Sequence, residues 1–256
     1  MSDVWKGMRL PKNFAELRTQ SSMLYWYSKI GNKIPTPKTE ILSLPPEDLF
    51  GYIVGKVDLE KKYGVLIRQV AKRVGYPLFL RTDQASGKHE WIDTCFVPSE
   101  DELFKHIYNV LEFNETADIL GLPYKALVFR KYIPLYSKFK AFRGMPVAKE
   151  FRVFVKDGSV LCIHFYWIPE AIKQGYHQVE LPENWLELLH ELNRLSDEDV
   201  NTLISYAKTF SRLVSGYWSV DFAYTQDRKW ILIDAARGEI SWHPKCKIKE
   251  ELLKNE

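Results

Sequence analysis

The sequence predicts an α+β fold with helices packed on antiparallel sheets, and three observations carry that expectation. Apolar residues recur at helical spacing from Leu59 to Val74 and again after Ser196. Two strand-like runs, Glu150 to Lys156 and Ser159 to Trp167, are joined by Asp157-Gly158, a pair suited to the positive φ values of a tight hairpin. A second pair, Trp218 to Thr225 and Trp230 to Ala235, flanks the polar turn Gln226 to Lys229.

Taken in chain order, Pro35, Pro37, Pro45 and Pro46 fall in a polar stretch and mark a loop joining an N-terminal region to the remainder. Val65, Ile67, Val70, Ala71 and Val74 then give a helix closed by Gly75 and Pro77, with a short strand, Leu78 to Arg81, behind it. Ser99 and Glu102 form a capping-box pattern before Leu103, Ile107, Val110 and Leu111, so a second helix follows. Ala126 to Ile133 reads as a strand. Ser196 caps a third helix whose Val200, Leu203, Ile204, Ala207, Phe210, Leu213 and Val214 share one face, and Gly216 ends it.

With 46% hydrophobic and 14% aromatic residues among 256, the chain can bury a substantial core as one large domain or two to three small lobes. A net charge of +3 is too balanced to argue for nucleic acid, so any basic site is local. Cys95, Cys162 and Cys246 are odd in number and widely spaced, which fits a reducing cytoplasm better than a disulfide framework. The opening residues lack a signal-peptide core and no run reaches about 18 apolar residues, so a cytoplasmic protein outside the membrane is expected.

Four segments carry chemistry. In Ser-Val-Asp221-Phe-Ala and Leu-Ile-Asp234-Ala-Ala, a carboxylate interrupts an apolar strand. A four-residue loop with Thr225 opposite Trp230 sets Asp221 across from Asp234, about 5 Å apart, where the two repel unless a proton or cation lies between them. A three-residue loop would send them to opposite faces, and each Asp bonding its local backbone is the plainer alternative. In Glu150-Phe-Arg152-Val-Phe-Val, alternation puts Glu150 and Arg152 on one face, as a phosphate-binding fork or as a solvated ion pair. From Arg81 to Lys88 a strand end and a small-residue loop present two cations, without the P-loop spacing. Arg130-Lys131-Tyr132-Ile133 places two adjacent charges in an apolar strand, so one faces inward unless both snorkel from an edge.

In this order the segments resemble divergent members of the ATP-grasp superfamily over roughly Tyr76 to Trp242. They are similar to the cell-division-cycle assembly chaperones of eukaryotic translation initiation factor two, and to microbial and phage clades in which an arginine replaces the first phosphate-binding lysine. The resemblance implies an ATP-grasp fold: two α+β lobes holding a nucleotide between antiparallel sheets, with an N-terminal extension. It divides the chain into an N-terminal region at 1–55, a small lobe at 56–125 and a C-terminal lobe with the metal site at 126–256. By the same resemblance Arg81 and Lys88 contact phosphate, Arg130, Lys131, Tyr132 and Ile133 form the hinge beside adenine, and Lys131 faces the nucleotide. Arg152 meets the terminal phosphate or an acidic substrate with Glu150 beside it, and Asp221 and Asp234 hold Mg2+ with ATP. One departure is Asp234-Ala235-Ala236, where the family's metal motif ends in asparagine; Arg237 and Glu239 are the nearby candidates to compensate.

The implied activity is ATP- and magnesium-dependent joining of a small-molecule or peptide carboxylate to an amine through an acyl phosphate. A competing expectation is an ATP-binding assembly factor that grips a protein partner, with Trp167, Tyr176, Trp185, Trp218 and Trp242 lining a groove or simply packing. An RNA-modifying ligase is a third reading without a recognisable RNA-binding motif. Lys138, Lys140 and Arg143 form a lid, an anion-receiving loop or solvated surface. His164 and His243 are acid-base candidates whose plainer role is packing or exposure.

Overall fold

The structure, a computed structural model, describes residues 12–117, 124–173 and 180–242. Tyr176, His243 and Cys246 therefore lie outside the described residues. Among the described residues, eight α-helices and ten strands build three packed units.

The first unit is an antiparallel sheet in the order β1 (Thr39–Ser43), β4 (Ala126–Lys131), β2 (Leu78–Thr82), β3 (Phe96–Val97). Helices α3 (Pro46–Ile53), α4 (Leu59–Val74) and α5 (Leu103–Ala117) cover it, and Leu49, Ile67, Val70, Ile107, Leu111 and Phe129 form its core. Asp58 caps α4 by accepting from the Lys61 amide at 2.9 Å, and Gly75 (φ 86°) closes it. Val65, expected on the buried face of α4, is instead 75% exposed, because the stripe Leu59, Ile67, Val70, Ala71 and Val74 points elsewhere. The capping box expected at Ser99 does not form. A 3₁₀ turn fills Glu100–Glu102, the Ser99 side chain makes no cap bond, and the Glu102 carboxylate lies 3.6 Å from Lys105 Nζ.

The second unit orders its strands β10 (Trp230–Arg237), β9 (Tyr217–Tyr224), β7 (Glu150–Lys156), β8 (Ser159–Phe165), all antiparallel. Asp157 (φ 47°) and Gly158 (φ 90°) turn β7 into β8 in the left-handed conformations that Asp-Gly favours. Packed on this sheet is α8 (Asp197–Leu213), opened by a reciprocal cap: the Asp199 amide donates to Ser196 Oγ at 3.2 Å and the Ser196 amide to Asp199 Oδ2 at 3.1 Å. Trp26, Val153, Phe210, Trp218, Phe222 and Leu232 lie in the shared core.

A third, smaller unit joins the hairpin β5 (Ser137–Ala141) and β6 (Met145–Ala148) to α6 (Pro169–Lys173) and α7 (Trp185–Leu192) around Phe139, Phe142 and Trp167.

The N-terminal region is not an appendage. Helix α1 (Phe14–Ser21) packs on β10, α2 (Met23–Ile30) enters the second core through Met23, Trp26 and Ile30, and β1 then pairs along β4 in the first sheet. Sheet membership thus cuts across the boundaries expected at 55/56 and 125/126: Thr39–Ser43 and Ala126–Lys131 both belong with Leu78–Thr82. The last of these strands in the chain, β4, stops at Lys131, two residues short of the expected Ile133.

Candidate functional site

Between the two four-stranded sheets lies an open cleft of about 930 Å³ including its mouth, lined by every nucleotide- or metal-site residue proposed from sequence except Arg152. Strand β2 delivers Arg81, the loop after it Lys88, β4 and its continuation Arg130, Lys131, Tyr132 and Ile133, β7 Glu150, β9 Asp221 and β10 Asp234.

The two aspartates do face each other, since Asp234 is the register partner of Asp221. The route differs from the four-residue loop expected from sequence. Trp230 pairs with Tyr224 rather than Thr225, and in that register Asp221 would meet Ile233 and Asp234 would point to the other face. A β-bulge at Ile233 inserts one extra residue between Leu232↔Phe222 and Asp234↔Asp221 and restores the alignment.

Each aspartate is matched by an arginine. Arg152 binds Asp221 through two parallel contacts, Nε to Oδ1 at 2.7 Å and Nη2 to Oδ2 at 2.8 Å. Buried Arg81 reaches Asp234 Oδ2 with Nη1 at 2.8 Å. Burial disfavours the charge on Arg152, but the adjoining Asp221 outweighs it and raises the guanidinium pKa. Arg152 also donates to the Trp242 carbonyl at 3.3 Å, and its guanidinium lies 5.0 Å from the Tyr166 ring.

Lys88 sits between acids and aromatics. Its Nζ is 3.3 Å from Glu150 Oε2 and 3.9 Å from the Tyr166 ring centre. Burial opposes its charge, yet Glu150, Tyr166 and Asp221 together raise its pKa, so the ammonium is secure at neutral pH. Gly87 before it is left-handed (φ 63°), and a Cβ there would press Phe113 at 3.1 Å. Glu150 is buried and accepts from Trp167 Nε1 at 3.2 Å.

Of the two charges in β4, Arg130 is the buried one and Lys131 the half-buried one, its Nζ donating to the Tyr76 carbonyl at 3.4 Å. Burial, with the positive charge of Arg81 nearby, pushes Arg130 down to about 10, still protonated at neutral pH. Tyr132 packs edge-on against Phe96 at 5.1 Å, and Ile133 adds an apolar patch to the cleft wall. Pro37, Phe79, Trp91, Met145 and Tyr166 also line the cleft and had no sequence signal pointing to them, because strands and loops far apart in the chain bring them in.

The basic segment Ser137 to Gly144 is the β5–β6 hairpin. Its cations are mostly engaged: Lys138 pairs with Glu191 at 3.1 Å and Arg143 with Asp93 at 2.7 Å, while Lys140 is exposed. At its tip Phe142 (φ 51°) stacks on His89 with ring centres 4.5 Å apart, so the hairpin closes onto the loop that carries Lys88. Burial and the neighbouring Lys88 lower the His89 pKa to about 4.

Trp167 and Trp218 are buried, which removes them from the expected partner groove; Trp185 and Trp242 are half-buried. His164 packs edge-on against Phe154 at 5.8 Å and does not line the cleft. Arg237 and Glu239 pair with each other at 2.7 Å and do not reach the cleft, so neither replaces the missing asparagine. Among the described residues no group of three or more His, Cys, Asp or Glu side chains could hold a metal ion. Two opposed carboxylates nonetheless fit magnesium, which keeps several waters and is held by one or two carboxylates with phosphate oxygens completing its shell.

Two lobes of antiparallel sheet and helix enclosing this cleft are the ATP-grasp fold. A family model for the ATP-grasp domain, that of family 3 of the R-to-K clade, matches residues 71–255, and the chain belongs to that family. The resemblance expected from Arg81, Arg130 to Tyr132, Glu150 to Val155, Asp221 and Asp234 is thereby borne out. Among solved structures, Cdc123 from Schizosaccharomyces pombe is 17% identical with TM-score 0.55, covering 90% of this chain and 87% of that one. The D-alanine–D-alanine ligase from Bacillus anthracis complexed with ATP is 15% identical with TM-score 0.50, covering 93% of this chain and 65% of that one. At these identities the likenesses show the fold alone. No curated protein matches the sequence. No described helix is long and apolar enough to cross a membrane.

Proposed function

We propose that the chain binds ATP with magnesium in this cleft and uses it as an ATP-grasp ligase, activating a carboxylate for attack by an amine. The observation that carries the reading is the pairing of Asp221 with Asp234 beside four cations, Arg81, Lys88, Lys131 and Arg152. Bound there, magnesium would neutralise charge on the triphosphate and draw β- and γ-oxygens to the two aspartates.

The chain's own groups supply the rest. For the metal to enter, Arg81 and Arg152 exchange their carboxylates for phosphate oxygens, an exchange of like for like because guanidinium forks bind both. Lys88, kept charged by Glu150, adds a point charge on the phosphate side of the cleft. Arg152 is the residue proposed to steady the transferring phosphoryl group, with Glu150 orienting Lys88 rather than reacting. Lys131 and the apolar residues Ile133, Phe79 and Met145 form the half of the cleft suited to the base. The hairpin tip, stacked on His89 and tied by Arg143 to Asp93, shields the phosphate side from water, as a reactive acyl phosphate requires.

A second reading is favoured by the Cdc123 likeness over nearly the whole of both chains: an ATP-binding assembly factor acting on a protein partner without ligase turnover. The absence of an asparagine at Ala236 agrees with it.

Calorimetric titration tests the shared core of both readings. Asp221→Asn and Asp234→Asn are each expected to weaken magnesium-dependent ATP binding at least about tenfold, about 1.4 kcal/mol, without unfolding the chain. Unchanged affinity in both variants overturns the assignment. ADP release in the presence of magnesium, carboxylates and amines selects the ligase; binding without release selects the assembly factor.

A further inference from the structure

We infer that Arg130 is a positioning residue that holds the β10 bulge open and so keeps Asp234 opposite Asp221, an inference that rests on reading those aspartates as the metal ligands. Sequence resemblance placed Arg130 in the hinge beside adenine, but the donors of its guanidinium are spent elsewhere. Nη1 donates to the Ile233 carbonyl, Nη2 to the Leu232 carbonyl at 3.4 Å, and Nε to Thr39 Oγ1 at 3.2 Å. Leu232 and Ile233 are the residues at which the β9–β10 register slips by one.

The physical need is plain. Strand β10 is the outer strand of its sheet, and the edge groups of Leu232 and Ile233 face the other lobe rather than a neighbouring strand. Left unpaired and buried, such carbonyls cost about 1–3 kcal/mol each, and a bulge that orphans them would relax into regular pairing. Relaxation is costly to the site: in the register of Trp230 to Leu232, Asp234 would face away from Asp221. Arg130 satisfies the two carbonyls while the Pro35 carbonyl accepts from the Leu232 amide at 2.8 Å. Since Arg130 stands on β4 and the bulge on β10, the bond also ties metal geometry to the apposition of the two lobes.

The test compares ATP affinity with and without magnesium by calorimetry for the wild type, Arg130→Met and Arg130→Lys, with circular dichroism confirming the fold. In Arg130→Met the gain in affinity conferred by magnesium is expected to fall at least about tenfold, while metal-free ATP affinity stays within about threefold. Arg130→Lys, with a cation that cannot fork across two carbonyls, is expected to recover part of that gain and reports alone if the methionine variant does not fold. A retained magnesium gain in the folded variants overturns the inference. So does an equal loss with and without magnesium, which makes Arg130 a direct nucleotide contact. Wild-type protein that binds ATP equally with and without magnesium removes the metal reading itself and this inference with it.

Discussion

Asp221 is 5% exposed on a strand that is otherwise apolar, a place where an ionised carboxylate is tolerated only with a partner. Arg152 is that partner, and breaking a buried pair from one side costs about 3–5 kcal/mol because the other charge is stranded. Arg152→Met is therefore expected to lower the unfolding free energy by that order, and Arg152→Met with Asp221→Leu to recover most of it, as read by urea denaturation. An equal loss in single and double variants contradicts the pairing. At this scale the sequence shows which residues are anomalous and little about whom they meet. Charges at Arg81, Asp221 and Asp234 stand out because the neighbouring strand positions are apolar, whereas the pairing of Arg81 with Asp234 joins positions on different sheets and leaves no local trace.

Helix α8 shows what elements disclose of themselves. Its apolar stripe and its Ser196 cap are both local, and both are formed as read. Asp199 adds what no pattern indicates: its carboxylate also takes Lys149 Nζ at 2.7 Å and Trp230 Nε1 at 2.8 Å, pinning the helix start to the second sheet. Ser196→Ala is expected to cost about 1 kcal/mol, and Asp199→Ala clearly more, in thermal or chemical unfolding. The Ser99 pattern had the same letters but failed, since a 3₁₀ turn precedes α5 and Glu102 turns toward Lys105. Strand β1 was illegible for another reason: Thr39 pairs with Arg130, and a polar, proline-rich stretch carries no period that reveals a partner so far along the chain. For the β5–β6 hairpin, Arg143→Glu sets like charges against Asp93 and Glu90 and is expected to speed nucleotide release in stopped-flow measurements, with no change if the hairpin is only surface.

Over the whole molecule, the lobes meet through Arg130 on the β10 edge, Arg81 on Asp234 and His89 on Phe142. The last contact titrates. The His89 pKa of about 4 lies below the ordinary 6.5, so between these values the folded state binds fewer protons than the unfolded one. Its contribution is complete above pH 6.5 and drains as pH falls toward about 4, on the order of 3 kcal/mol in all. His89→Phe keeps the stack and removes that drain, so urea denaturation at acid and neutral pH should show a smaller acid loss in the variant; equal losses place His89 in water when folded. The architecture of strand, helix and hairpin was largely legible, while the N-terminal helices were not, because their apolar residues complete a core whose other side is more than a hundred residues away. What remains most exposed to disproof is the shared metal between the two aspartates. A crystal structure with a non-hydrolysable ATP analogue and manganese in place of magnesium tests it directly: the account expects an anomalous peak bound by both Asp221 and Asp234 and by phosphate oxygens, with Arg81 and Arg152 turned to the phosphates. A nucleotide bound with both arginines still on their aspartates, or a metal peak elsewhere, contradicts it.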